Sequence, residues 1–130
     1  MIEGACHCGR VQWRFDAHPD AATACNCTVC RRYGALWAYD YLDDAVSIDG
    51  ETAAYTHGDG SLGFHFCRGC GCVTHWLATT PDDAGRLRVA VNLRMAAPDA
   101  VAAIPLRCFD GLDRFEALAP DGRCVAHIWF

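Results

Sequence analysis

Eight of the ten cysteines fall into three short clusters: Cys6 and Cys8 in C-x-C, Cys25, Cys27 and Cys30 in C-x-C-x-x-C, and Cys67, Cys70 and Cys72 in C-x-x-C-x-C. Thiolates two or three residues apart can grip one tetrahedral ion, and two such groups brought together by the fold fill its four positions. The clusters therefore read as zinc ligands. The middle cluster offers three thiols. A site with three protein ligands keeps a position for water or substrate, which separates a catalytic metal from a structural one.

Ten cysteines in 130 residues would also suit a small secreted scaffold held by disulfides. Against that, Met1 to Ala5 has no basic region and no apolar run, and nothing later is long or apolar enough to span a bilayer. The expectation is a reducing, cytoplasmic setting without membrane contact, where clustered thiols serve metals. A formal charge of -5 disfavours a phosphate-binding surface and hence a nucleic-acid partner. All eleven cationic side chains are arginine, as a GC-rich genome would give.

The length suits one domain over residues 1–130, with 52% apolar residues for a modest core and metal sites adding folding free energy. The patterning is mainly β. Val11 to Phe15 alternates as a half-buried strand does. Leu36 to Tyr41 and Val46 to Ile48 follow, then the turn pair Asp49-Gly50 and a returning strand near Thr52 to Thr56, read as a hairpin. Further strands are expected at Gly63 to Phe66, Val73 to Leu77, Leu87 to Asn92 and Val125 to Trp129. Helix is limited to a turn from Thr28 to Tyr33 and a segment starting near Pro98 and Asp99.

Local chemistry pairs the clusters. Gly9 follows Cys8 and Gly71 follows Cys70, and a glycine there lets the chain turn sharply and aim N–H groups at thiolate sulfur. Joining Cys6, Cys8, Cys67 and Cys70 gives a closed four-thiolate site tying the N-terminal segment to the centre of the chain. Cys25, Cys27 and Cys30 are followed instead by the pair Arg31 and Arg32. Zinc on three thiolates favours a fourth sulfur over an activated water. Cys72 is the obvious protein residue to supply one, with His75 or His65 behind it. Cys72 can equally approach either metal, serve as a reactive thiol or fill core space.

The runs Gly4-Ala5-Cys6-His7-Cys8-Gly9-Arg10-Val11, Cys25-Asn26-Cys27-Thr28-Val29-Cys30-Arg31-Arg32-Tyr33-Gly34-Ala35 and Phe66-Cys67-Arg68-Gly69-Cys70-Gly71 resemble, in order and spacing, the glutathione-dependent formaldehyde-activating enzymes, whose domain has the zinc-bearing β-tent fold. The resemblance implies two zinc ions, a structural one on Cys6, Cys8, Cys67 and Cys70 and a catalytic one on Cys25, Cys27 and Cys30. It implies a carbon-sulfur lyase that forms or cleaves S-hydroxymethylglutathione, with a small-molecule thiol and an aldehyde as partners. Arg31 and Arg32 could then meet glutathione carboxylates, since a guanidinium matches a carboxylate in two parallel hydrogen bonds. Cys72 departs from the common family pattern at its position. If it completes the second site, the chain reads as a non-enzymatic β-tent protein that binds protein partners.

Several other residues carry lesser expectations. His75 is a candidate acid or base, or a hydrogen-bonded structural histidine. Cys108 and Cys124 stand outside the clusters as buried thiols. The His7 and Asn26 side chains, between paired ligands, should point away from the metals. Trp37, Tyr39 and Trp76 line an apolar pocket or pack the core. Asn92, Arg94, Asp110 and Gly111 look placed for a purpose, as a buried Arg94–Asp110 pair or as an anion contact. Thiol redox chemistry on Cys72 lacks an evident resolving thiol.

Overall fold

The computed structural model describes residues 1–129. Its strands are β1 (Ile2–Ala5), β2 (Gln12–Phe15), β3 (Ala22–Cys25), β4 (Trp37–Tyr41), β5 (Val46–Asp49), β6 (Thr52–Tyr55), β7 (Leu62–Cys67), β8 (Val73–Ala78), β9 (Arg88–Asn92), β10 (Leu106–Asp110) and β11 (Glu116–Ala117). The helices are short, α1 (Cys30–Tyr33) and α2 (Pro98–Val101), with 3-10 turns at Leu93–Met95 and Val125–His127. The chain is mainly β, as the patterning predicts. No helix among the described residues is long and apolar enough to cross a membrane.

The strands form two sheets. One is small, in the order β1-β2-β5, and one large, in the order β11-β10-β3-β4-β9-β8-β7-β6. All pairings are antiparallel except β3 with β10, which run parallel with Cys25 opposite Phe109. The main core lies between the sheets: Ile2, Trp13, Phe15 and Val46 from the small one meet Ala22, Ala38, Val89 and Val91 from the large one, with Leu36 just ahead of β4 packed among them. Because strand side chains alternate, Trp37, Ala90 and Trp76 emerge on the far face of the large sheet. There they build a second apolar cluster with Cys30, Ala35 and Phe64.

Two expectations are corrected here. Asp49-Gly50 does not close a hairpin, because β5 pairs with β2 in the small sheet and β6 with β7 in the large one. Gly50 is where the chain passes between sheets: its φ is 103°, and a Cβ there would collide with the Arg10 carbonyl oxygen. The Val125–Trp129 strand is also not formed. Val125–His127 winds as a 3-10 turn in which His127 Nδ1 accepts the Cys124 N–H at 3.0 Å. Val125 N–H and Ala126 N–H donate to Ile104 and Ala102.

Candidate metal centres

Two groups of thiols converge, and all ten cysteines are free of disulfides. The first holds Cys6, Cys8, Cys67 and Cys70, whose sulfurs all lie within 4.8 Å of one another. The loop after β1 supplies two of them, while the end of β7 and the turn after it supply the others, so this group laces the small sheet to the large one. The two halves are built alike. Gly9 N–H donates to the Cys6 carbonyl at 2.9 Å and Gly71 N–H to that of Cys67 at 2.8 Å. Both glycines have φ 78°, a left-handed conformation that side chains other than glycine seldom adopt. Val11 N–H reaches Cys6 Sγ and Gly69 N–H reaches Cys67 Sγ, each at 3.3 Å.

Cys8 Sγ stands 3.6 Å from Cys6 Sγ and 3.5 Å from Cys67 Sγ. Tetrahedral thiolates about 2.3 Å from a zinc ion stand roughly 3.8 Å apart, so the spacing fits that group. The N–H groups of Cys72 and Cys8 pull the Cys70 thiol down to about 5. Cys8 feels the lowering pull of the Arg10 N–H, yet burial and the thiols of Cys67, Cys6 and Cys70 push it up to about 11. Neighbouring thiols hold their protons unequally because packed thiolates repel one another, and a divalent cation relieves that repulsion.

The second group is Cys25, Cys27 and Cys30, also within 4.8 Å. Cys25 ends β3 and Cys30 opens α1. Each sulfur faces one N–H donor: Cys27 N at 3.5 Å from Cys25 Sγ, Cys30 N at 3.3 Å from Cys27 Sγ, and the indole Nε1 of Trp37 at 3.3 Å from Cys30 Sγ. Burial pushes the Cys27 thiol upward, but the Cys30 N–H and neighbouring thiols outweigh it and leave the thiol below its ordinary value. Burial raises Cys25 and Cys30, the latter despite the Trp37 donor. Three soft donors, each with an N–H aimed at sulfur, suit zinc.

Behind this triad stands the far-face aromatic cluster. Trp37 and Trp76 are buried, Phe64 lies 6.1 Å from Trp37 and 5.5 Å from Tyr33, and half-buried Tyr39 lies 5.8 Å from Trp76. The expected aromatics thus form the floor behind Cys30. Arg31 and Arg32 are exposed on α1. Arg32 donates to the Thr28 carbonyl at 2.6 Å, while Arg31 makes no salt bridge among the described residues.

Two open readings narrow and one expectation is corrected. Cys72 packs with Cys6, Val11, Cys67 and Cys70, so it neighbours the first group and does not join the triad. His75 is opposite Val91, on the face that meets the small sheet, while its neighbour Trp76 faces the triad's side. It is 3% exposed, stacks on His65 at 4.6 Å and lies 2.9 Å from Thr74 Oγ1. It is a packed histidine set away from the triad. Arg94 and Asp110 do not pair: Arg94 Nε donates to the Gly34 carbonyl at 3.1 Å, and Asp110 accepts backbone N–H groups of its own turn.

Buried Asn92 is a strut, accepting from the Leu36 and Arg94 N–H groups and donating to the Val73 carbonyl. Asn26 points away from the thiols, as expected, but toward Asp110. Gly111 stands against Cys25 and Cys27. A D-G pair after a strand marks only a turn in sequence. A surface hollow of about 500 Å³ on the small sheet, lined by Glu3, Gln12, Arg14 and Asp49 among others, contains no thiol or histidine.

The family model described as glutathione-dependent formaldehyde-activating enzyme matches residues 1–107. A Rhodobacter sphaeroides protein of known crystal structure is similar at 26% identity and a TM-score of 0.61, over 81% of this chain and 99% of that one. No curated protein matches.

Proposed function

The chain belongs to the glutathione-dependent formaldehyde-activating enzyme family, and on that premise we propose that it is a carbon-sulfur lyase joining a small thiol to an aldehyde and cleaving the adduct again. Glutathione and formaldehyde are the substrates of choice. One observation carries the reading: the triad converges without a fourth histidine, cysteine or carboxylate among the described residues, whereas the other group has four ligands. We assign the four-cysteine group a structural zinc and the triad a catalytic one. Bound there, zinc would stabilise an added thiolate at neutral pH.

Cys25, Cys27 and Cys30 would hold the ion, with their N–H partners orienting the sulfurs. Arg31, exposed and free of salt bridges among the described residues, is available to a substrate carboxylate, and Arg32 stands beside it. The aromatic floor excludes water from the inner side of the triad, and half-buried Cys25 and Cys27 leave the outer side open to small solutes. In the addition, the thiolate sulfur bonds to the aldehyde carbon, the carbonyl electron pair moves to oxygen, and that oxygen takes a proton from solvent. Holding both reactants in one place turns a bimolecular addition into a local one. His75 takes no part, being on the opposite face. Ten free thiols suit a reducing, cytoplasmic setting.

Exchange between 13C-formaldehyde and its glutathione adduct, followed by NMR, tests the proposal. The protein is expected to speed exchange, and Cys27→Ser to abolish the acceleration while keeping native circular dichroism. Acceleration surviving in Cys27→Ser would remove the triad from the chemistry.

A further inference from the structure

The segment just beyond the family-matched residues reaches back to the triad. β10 ends at Asp110, and the next residues turn over the Cys25-Asn26-Cys27 loop. Asn26 sits at the centre of this contact. Its N–H donates to the Phe109 carbonyl at 3.2 Å, its Nδ2 donates to Asp110 Oδ1 at 3.2 Å, and its Oδ1 accepts the Leu112 N–H at 3.0 Å. Asp110 stiffens the turn by accepting the N–H groups of Leu112, Asp113 and Arg114 at 3.3, 3.1 and 3.3 Å. Gly111 then lies so close that an added Cβ would stand 2.7 Å from Cys25 Sγ and 2.9 Å from Cys27 Cβ. No positive φ demands a glycine there. The requirement is space beside the sulfur.

We propose that Asn26 and the turn Asp110-Gly111-Leu112 form a clasp, outside the family-matched segment on one side, that fixes the positions of Cys25 and Cys27 and so sets the metal affinity of the triad. This rests on the reading of the triad as a metal site. Asn26 and Gly111 are positioning residues: Cys25 ends β3, already paired with β10 opposite Phe109, and the clasp extends that tether to the loop that carries Cys27. A side chain at 111 would push Cys25 aside, and loss of the Asn26 amide would let the loop and turn part. Supporting partners of metal ligands contribute about 10- to 100-fold in affinity.

The test is zinc affinity by chelator competition, with the thiolate charge-transfer absorption of cobalt-substituted protein, in wild type, Gly111→Ala and Asn26→Ala. The four-cysteine group is the internal control. The expected result is a second metal equivalent weakened roughly tenfold or more in both variants, with altered cobalt bands, while the first equivalent is unchanged. Should Gly111→Ala fail to fold, Asn26→Ala, which adds no bulk, decides. Wild-type affinity and spectrum in Asn26→Ala would refute the clasp and leave the metal reading standing, as would equal weakening of both equivalents. A wild-type chain that takes only one equivalent would overturn the metal reading itself, and the clasp with it.

Discussion

Trp37 supplies the one side-chain N–H bound to a triad sulfur among the described residues, at 3.3 Å from Cys30 Sγ. Trp37→Phe keeps an aromatic ring in the core and removes that donor. Cys30 is 8% exposed, so water replaces the lost bond poorly. A hydrogen bond to a charged acceptor contributes about 1.5–3 kcal/mol. Losing it destabilises the thiolate relative to the thiol and should weaken zinc at the triad roughly 10- to 100-fold. The four-cysteine group, on the other knuckle pair, keeps its affinity. Competition with a chromophoric chelator resolves the two equivalents. The packing control is Phe64→Leu, which disturbs the same cluster while keeping the indole donor. The reasoning is refuted if Phe64→Leu weakens the second equivalent as much as Trp37→Phe does, or if Trp37→Phe leaves it unchanged.

Removing a ligand from the four-cysteine group should cost the fold, since that group laces the two sheets: Cys67→Ser is expected to lose cooperative unfolding in circular dichroism. A Cys67→Ser protein as stable as wild type would contradict the structural role. Burial, with His65 adding to it, pushes His75 down to about 3, against 6.5 for a free histidine. The unfolded chain therefore binds more protons between those values, and stability present above pH 6.5 is lost as pH falls toward 3. Urea unfolding at pH 7 and 5.5 should show wild type losing about 1 kcal/mol more than His75→Gln over that step. Parallel losses would show that His75 protonates in the folded state.

The grouping of the thiols was legible because it is written locally. The spacing of Cys6 with Cys8 and of Cys67 with Cys70, each followed by a glycine, encodes a knuckle whichever fold surrounds it, and both glycines adopt φ 78°. The alternation of Gln12–Phe15 and the apolar run inside Arg88–Asn92 were equally plain. What stayed hidden depends on contacts distant in the chain. Asp49-Gly50 has hairpin chemistry, yet Gly50 meets the Arg10 carbonyl and the chain changes sheets. Val125 to Trp129 has apolar residues suited to a strand, but capping by Cys124 and His127 and hydrogen bonds to Ala102 and Ile104 wind it into a turn. Leu106–Asp110 interleaves Arg107 and Asp110 with apolar residues, and its parallel pairing with β3 cannot be inferred from either strand alone. The contact of Asn26 with Asp110 spans 84 positions. Arg94 and Asp110 do not form the expected pair: Arg94 donates to the Gly34 carbonyl, and Asp110 accepts from Asn26 and from its own turn.

The division of the thiols into a closed structural metal and an open reactive one is tested most directly by native mass spectrometry of the intact chain at neutral pH, with and without millimolar glutathione. The account predicts two zinc ions per chain and a glutathione adduct that disappears, together with one zinc, in Cys27→Ser. Two zinc ions with no adduct under any glutathione concentration would contradict it.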